Sequence, residues 1–287
     1  MNDLLTYDYE SMRMLSLNIR AESVKMIAHA GSGHIGGTAS VADVLAVLYG
    51  GVLKHDPLRP DWEERDWLIL SKGHCGPALY AALALRGYFP MDWLKTLNKP
   101  GTDLPSHADR NHTPGVDMST GSLGQGISAA AGIALANRIL GRDSYVYCIV
   151  GDGELNEGEV WEACETAAHL KLDRFIVFVD WNKKQLDGRL ESICNPGDLS
   201  AKFAAFGWIP ETVKGYDVRE ITEAIVRAKQ TCGKPHVILL DTVKGLGVDF
   251  AEAAEKNHHM AFTMSAAEDA IAEMKRRYEN GSYPAKL

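Results

Sequence analysis

Two short apolar runs, YVYCIV at 145–150 and FIVFVD at 175–180, each end in a polar turn, and a segment of helical periodicity from Glu159 to Leu170 lies between them. Runs of this length, rich in β-branched and aromatic residues, read as strands buried on both faces, as in a parallel sheet covered by helices. Gly151-Asp152-Gly153 follows the first run and Trp181-Asn182 the second, so Asp152 and Asn182 stand 30 positions apart. That is about the length of one strand, helix, strand unit. Parallel strands in such a unit deliver both residues to one carboxyl-terminal edge, where open α/β sheets bind ligands.

The rest of the chain keeps the same rhythm. Met12, Leu15, Ile19, Val24 and Ile27 predict a helix from about Tyr9 to Ala30, and GSGHIGG at 31–37 must end it. Ser40 reads as the cap of a short apolar helix through Leu48, and Trp67 to Leu70 as a buried strand followed directly by SKGH. A helix is expected from Cys75 to Leu85. Residues 98–117, with three prolines and no periodicity, read as a long irregular loop. GSLGQG at 121–126 opens an Ala-rich helix to about Leu140; helix Ile221 to Lys229, strand His236 to Asp241 and a charged helix from Ala266 to Tyr278 follow. The expected fold class is α/β, a doubly wound, mainly parallel sheet with helices on both faces. A length of 287 residues allows one or two domains at about 150 residues each. No linker divides the chain, so a single domain over 1–287 is expected.

Composition removes several function classes. Lys and Arg number 30 against 38 Asp and Glu, a net charge of −8 with no basic cluster, which argues against a general nucleic-acid binder. The five cysteines form no C-x-x-C pair, so neither a disulfide scaffold nor a thiolate zinc site is expected. The N-terminus is acidic and lacks the basic and apolar regions of a secretory signal, so a cytoplasmic location is the default. Met118 to Asn137 carries no charge, but half of it is Ser, Thr, Gly, Gln or Asn, which rejects a membrane span.

The oxygens of an Asp and an Asn are hard donors suited to Mg²⁺ or Ca²⁺, and Mg²⁺ commonly shares its shell with a diphosphate. Glycines beside Asp152 would let backbone approach such phosphates. The competing interpretation is a tight turn in which Asp152 caps a helix, which for a lone G-D-G is the commoner case; the spacing to Asn182 and the strand context favour a site. GDG, 28 further residues and Asn together resemble the thiamine diphosphate-binding motif, which several enzyme classes share. SGHIGG at 32–37, LSKGHCGPALYAAL at 70–83, TGSLGQG at 120–126, GDGELNEGEVWEA at 151–163 and TVKGLG at 242–247 resemble transketolase, in that family's order.

The resemblance implies a role for each matching position. Asp152, Asn182 and the backbone carbonyl of Lys184 would hold Mg²⁺, with Ca²⁺ or Mn²⁺ as substitutes. Gly153, Gly121, Leu123, His74 and Lys244 would bind thiamine diphosphate, Leu186 would pack on its thiazolium, and Glu157 would stand at the interface between the two halves of the site. His34, His107 and His258 would face the substrate, with His259 an alternative to His258. Imidazoles suit that task because they exchange protons and hydrogen bonds near neutral pH. His29, His55, His112, His169 and His236 keep a solvated or core role. Ile35 and Ala108 stand where the family usually has proline, and Ser106 replaces the glycine before His107, departures that bear on the preferred sugar.

The implied activity is transfer of a two-carbon ketol unit from a ketose (phosphate) donor to an aldose (phosphate) acceptor. A complete transketolase is roughly twice this length, so the chain is expected to be the amino-terminal subunit of a split transketolase. A separate carboxy-terminal subunit would supply the glutamate that activates the aminopyrimidine and the cations that grip a sugar phosphate. The resemblance implies a heterotetramer with two copies of each subunit, since the family's sites lie between chains related by two-fold symmetry, and no nucleic-acid or membrane partner is expected. Three alternatives remain: a subunit of another thiamine diphosphate enzyme, such as a 2-oxoacid dehydrogenase, a non-catalytic cofactor-binding or regulatory module, and an α/β domain with an unrelated Mg²⁺-phosphate site.

Overall fold

The computed structural model describes residues 7–284, so the outermost residues of the expected 1–287 span lie outside the described residues. Asp8 accepts a hydrogen bond from the Ser11 N–H at 3.0 Å and caps α1 (Tyr9–Ala30). β1 (Ser32–Gly33), α2 (Ile35–Ser40) and α3 (Ala42–Val47) follow, then β2 (Trp67–Leu70) and α4 (Gly76–Leu85). Between residues 97 and 124 the chain forms no helix or strand. α5 (Gln125–Ile139), β3 (Val146–Gly151), α6 (Gly158–His169) and β4 (Phe175–Trp181) make the central unit. The chain continues through α7 (Leu190–Ile193), α8 (Leu199–Ala205), β5 (Ile209–Lys214), α9 (Val218–Gln230) and β6 (His236–Asp241). It then runs through α10 (Asp249–Ala253), β7 (Met260–Ala261) and α11 (Met264–Glu279).

Five strands form a parallel sheet in the order β2-β3-β4-β6-β5. Side chains alternate between its two faces. Tyr147, Ile149, Ile176, Phe178, Ile238 and Leu240 pack into one apolar layer with α1, α3, α4, α9 and α11. Val146, Cys148, Val150, Phe175, Val177 and Val179 pack into the other with α5, α6 and α8. Strands buried on both faces explain the uninterrupted apolar runs and establish the doubly wound α/β fold. Among the described residues no helix is long and apolar enough to cross a membrane.

One local expectation is corrected. Ser40 closes α2 and does not cap the next helix: its hydroxyl is engaged with the Asp180 carboxylate at 2.7 Å and the Gly37 carbonyl at 3.1 Å. Val41 takes the cap position with no side-chain bond, in a segment buried from Ile35 through Leu48. β5, with the sequence IPETVK, was not foreseen: it is an edge strand that, unlike β2 at the opposite edge, is half exposed, and Pro210 interrupts it.

Candidate active site

β3 and β4 pair with Gly151 opposite Asp180, so the turns after them bring Asp152 and Asn182 to one edge of the sheet. The Asp152 carboxylate accepts the N–H of Gly153 at 2.8 Å and the N–H of Lys183 at 2.6 Å, tying the first turn to the second. The Asn182 amide oxygen accepts the Lys184 N–H at 3.1 Å, and its nitrogen donates to Asp180 at 2.8 Å. Asp180 is fully buried and paired with Lys72. Burial, reinforced by Asp180, pushes the Asp152 carboxyl up to about 7. Such a group is favoured in its charged form by an arriving cation. Lys244 donates to the carbonyls of Lys184 at 3.0 Å and Gln185 at 3.3 Å. Burial and the neighbouring Lys72 lower its pKa to about 8.

Histidines gather in the same cavity. The His34 ring lies 5.3 Å from that of His74, 5.5 Å from His107, 5.2 Å from His258 and 4.8 Å from His259. Three connections assemble them. β1 and β7 pair antiparallel, Ser32 with Ala261 and Gly33 with Met260, which brings residues 258 and 259 back to His34. His74 follows β2 directly, and the Ala108 N–H bonds the Gly73 carbonyl at 3.3 Å, holding His107 beside it. Burial, then the nearby His259 and His107, lowers His34 to about 4; burial, then Lys244 and His34, lowers His258 to about 3. Burial and Lys72 hold His74 well below the usual histidine range, and burial lowers His107. The four rings are neutral at pH 7, each with one donor and one acceptor.

Thirteen residues expected at the site from the resemblance line one cavity of about 330 Å³. Asp152, Gly153, Asn182, Lys184, Leu186 and Lys244 form one part of its wall, Gly121, Leu123 and Glu157 another, and His34, His74, His107 and His258 the rest. His258 is drawn in against Lys244, with Nδ1 at 3.3 Å from the ammonium, whereas His259 is exposed and stands beside His34. Lys72, Glu154, Asn156 and Gln185 also line the cavity and were missed. Lys72 and Glu154 lie inside the quoted segments SKGH and GDGE, but a charged residue beside a turn signals nothing by itself.

These residues fit a hard divalent cation and a diphosphate. The carboxylate of Asp152, the amide oxygen of Asn182 and the carbonyl of Lys184 are all oxygen donors, and the last already receives an ammonium. At Gly153 an added Cβ would stand 2.8 Å from that of Gln185, so the turn closes on its neighbour only without a side chain.

Comparison with known proteins agrees. Residues 12–286 match the family described as "Transketolase, thiamine diphosphate binding domain". The chain is 48% identical to the 6-deoxy-6-sulfo-D-fructose transketolase subunit of Clostridium sp. (strain MSTE9), over 90% of this chain and 94% of that subunit. It is 38% identical to an apulose-4-phosphate transketolase subunit from Actinobacillus succinogenes, over 93% of this chain and 97% of that one. The solved transketolase from Leishmania mexicana superposes with a TM-score of 0.87 at 34% identity, covering 94% of this chain and 41% of its own. This chain therefore spans less than half of that transketolase. A parallel sheet that brings Asp152 and Asn182 to one edge, and a sequence match running through nearly its whole length, place this chain in the transketolase family, as a thiamine diphosphate-binding domain.

Proposed function

We propose that this chain is the amino-terminal, thiamine diphosphate- and Mg²⁺-binding subunit of a split transketolase. It folds as one domain, works in the cytoplasm and transfers a two-carbon ketol unit from a ketose to an aldose. The observation that carries the proposal is the convergence of the thirteen sequence-predicted residues on one cavity. The naming of two similar proteins as subunits, each spanned almost completely by this chain, supports dependence on a second chain.

When bound, thiamine diphosphate supplies the carbanion needed to break and re-form a carbon–carbon bond beside a carbonyl. The chain's own groups bind and orient. Asp152, Asn182 and the Lys184 carbonyl hold Mg²⁺, and Gly153, Gly121, Leu123, His74 and Lys244 face the cofactor. His34, His107 and His258, neutral at working pH, accept and return hydrogen bonds from substrate hydroxyls. Leu186, exposed at the cavity wall, offers an apolar contact for the thiazolium, and Glu157 faces the other half of the site. A ketose with an anionic tail is the substrate class, phosphate by family default. A sulfonate is the second possibility, favoured by the 48% identical relative named for 6-deoxy-6-sulfo-D-fructose.

The test is reconstitution. Chain and partner together, with thiamine diphosphate and Mg²⁺, are expected to transfer a ketol unit from a ketose phosphate or from 6-deoxy-6-sulfo-D-fructose, and the chain alone to transfer none. Transfer by the isolated chain would refute the split enzyme. Asp152→Ala is expected to abolish Mg²⁺-dependent cofactor retention in calorimetry of the complex, and unchanged affinity would overturn the metal assignment.

A further inference from the structure

Glu154 is buried at 2% exposure, and its carboxylate receives three donors and makes no contact as a donor itself. Oε1 accepts the Ser71 hydroxyl and, at 2.9 Å, the Gly124 N–H; Oε2 accepts the Gly151 N–H at 2.9 Å. The donors come from three segments that each carry part of the cavity wall. Ser71 precedes Lys72 and His74, Gly124 closes the turn holding Gly121 and Leu123, and Gly151 precedes Asp152 and Gly153. Ser71 is 83 positions from Glu154 and Gly124 is 30, so this is no local helix cap. Gly124, at φ 88°, takes the left-handed conformation that turns the chain into α5 while its N–H goes to the carboxylate. An added Cβ at Gly126 would stand 2.4 Å from the Ser71 hydroxyl, so the first turn of α5 rests directly on the same junction.

We infer that Glu154 is a positioning residue, a buried anionic clamp that sets the relative placement of the three segments meant to receive the diphosphate. The inference rests on the thiamine diphosphate reading of the cavity. A carboxylate is required because three donors meet it and only an ionised acid accepts at both oxygens without presenting a hydrogen. Glu154→Gln keeps the volume but points an amide N–H₂ at one of those donors, leaving a buried N–H or hydroxyl unpaired.

Two measurements separate a clamp from a general stabiliser. In the full chain without cofactor, Glu154→Gln is expected to speed amide exchange at 121–124 and 151–153 while the strand cores keep their protection. In calorimetry of the complex with Mg²⁺, its affinity for thiamine diphosphate is expected to fall about 10–100-fold, the usual range for losing a group that orients ligands from behind. Ser71→Ala, which removes one donor and leaves the acid in place, is expected to weaken affinity in the same direction by less. Unchanged affinity in Glu154→Gln, faster exchange spread evenly over the sheet, or, should that variant fail to fold, unchanged affinity in Ser71→Ala would overturn the clamp. Failure of the wild-type complex to bind thiamine diphosphate would instead overturn the reading beneath it, and the cofactor-free exchange pattern tells the two failures apart.

Discussion

His34 is surrounded by four other imidazoles and stands within reach of the Lys244 charge, so a proton on its ring is disfavoured by burial and by neighbours alike. A histidine whose folded pKa is depressed supports the fold above its unfolded value and loses that support as pH falls through the folded one. The cofactor-free chain is therefore expected to lose thermal stability from about pH 6.5 down toward the values near 4 and 3 of His34 and His258. His34→Gln should flatten that decline in melts recorded across the range. Asp152 behaves in the opposite sense: its carboxyl, raised to about 7, favours the metal-free fold when protonated, and that contribution is lost as pH rises through 7. Mg²⁺ needs the ionised form, so its affinity is expected to climb from pH 6 to pH 8 with proton release, seen in calorimetry in buffers of different ionisation enthalpy. The family resemblance favoured His258, with His259 an alternative one position away. Their placement depends on the pairing of residues 260 and 261 with residues 33 and 32, which turns one ring toward Lys244 and leaves the other exposed.

Among elements, the apolar strands and long helices were legible because each buries side chains with its own period, while the buried polar contacts that join elements were not. Arg20 shows the second kind. Nothing in the helical pattern of 9–30 marks it; in the fold it is 1% exposed, paired with Asp43 of α3 and bonded to the Ser16 and Tyr283 hydroxyls. Its Nε donates to the carbonyls of Ala39 at 3.0 Å and Leu246 at 2.9 Å, so one guanidinium joins α1, α2, α3 and the segment after Lys244. Asp43→Ala would leave that charge buried and uncompensated, and a loss of about 3–5 kcal/mol is expected in denaturant unfolding. A loss below about 1 kcal/mol would show that water reaches Arg20. β5 is the counterpart among strands: an outer position requires only one well-packed face, and a half-polar IPETVK satisfies it without an alternating signature.

For the molecule as a whole, the sheet order places β3 and β4 side by side at its centre, and the cavity opens where their turns emerge. The other half of a transketolase site is expected from a second chain, and sedimentation of the mixed proteins is expected to give two copies of each. A one-to-one complex with full activity would overturn that stoichiometry. The main apolar strands, the long helices, the parallel fold class and the meeting of Asp152 with Asn182 at the carboxyl edge were legible in the sequence. Burial periodicity, turn chemistry and the 30-position interval are local properties of a chain. Tertiary structure alone decided which imidazole enters the cavity, that Glu154 gathers three segments, that Arg20 is interior and that β5 is a strand. Those outcomes rest on partners as far as 83 and 263 positions away, and whether a charged side chain finds such partners or faces water is settled only when the layers close around it.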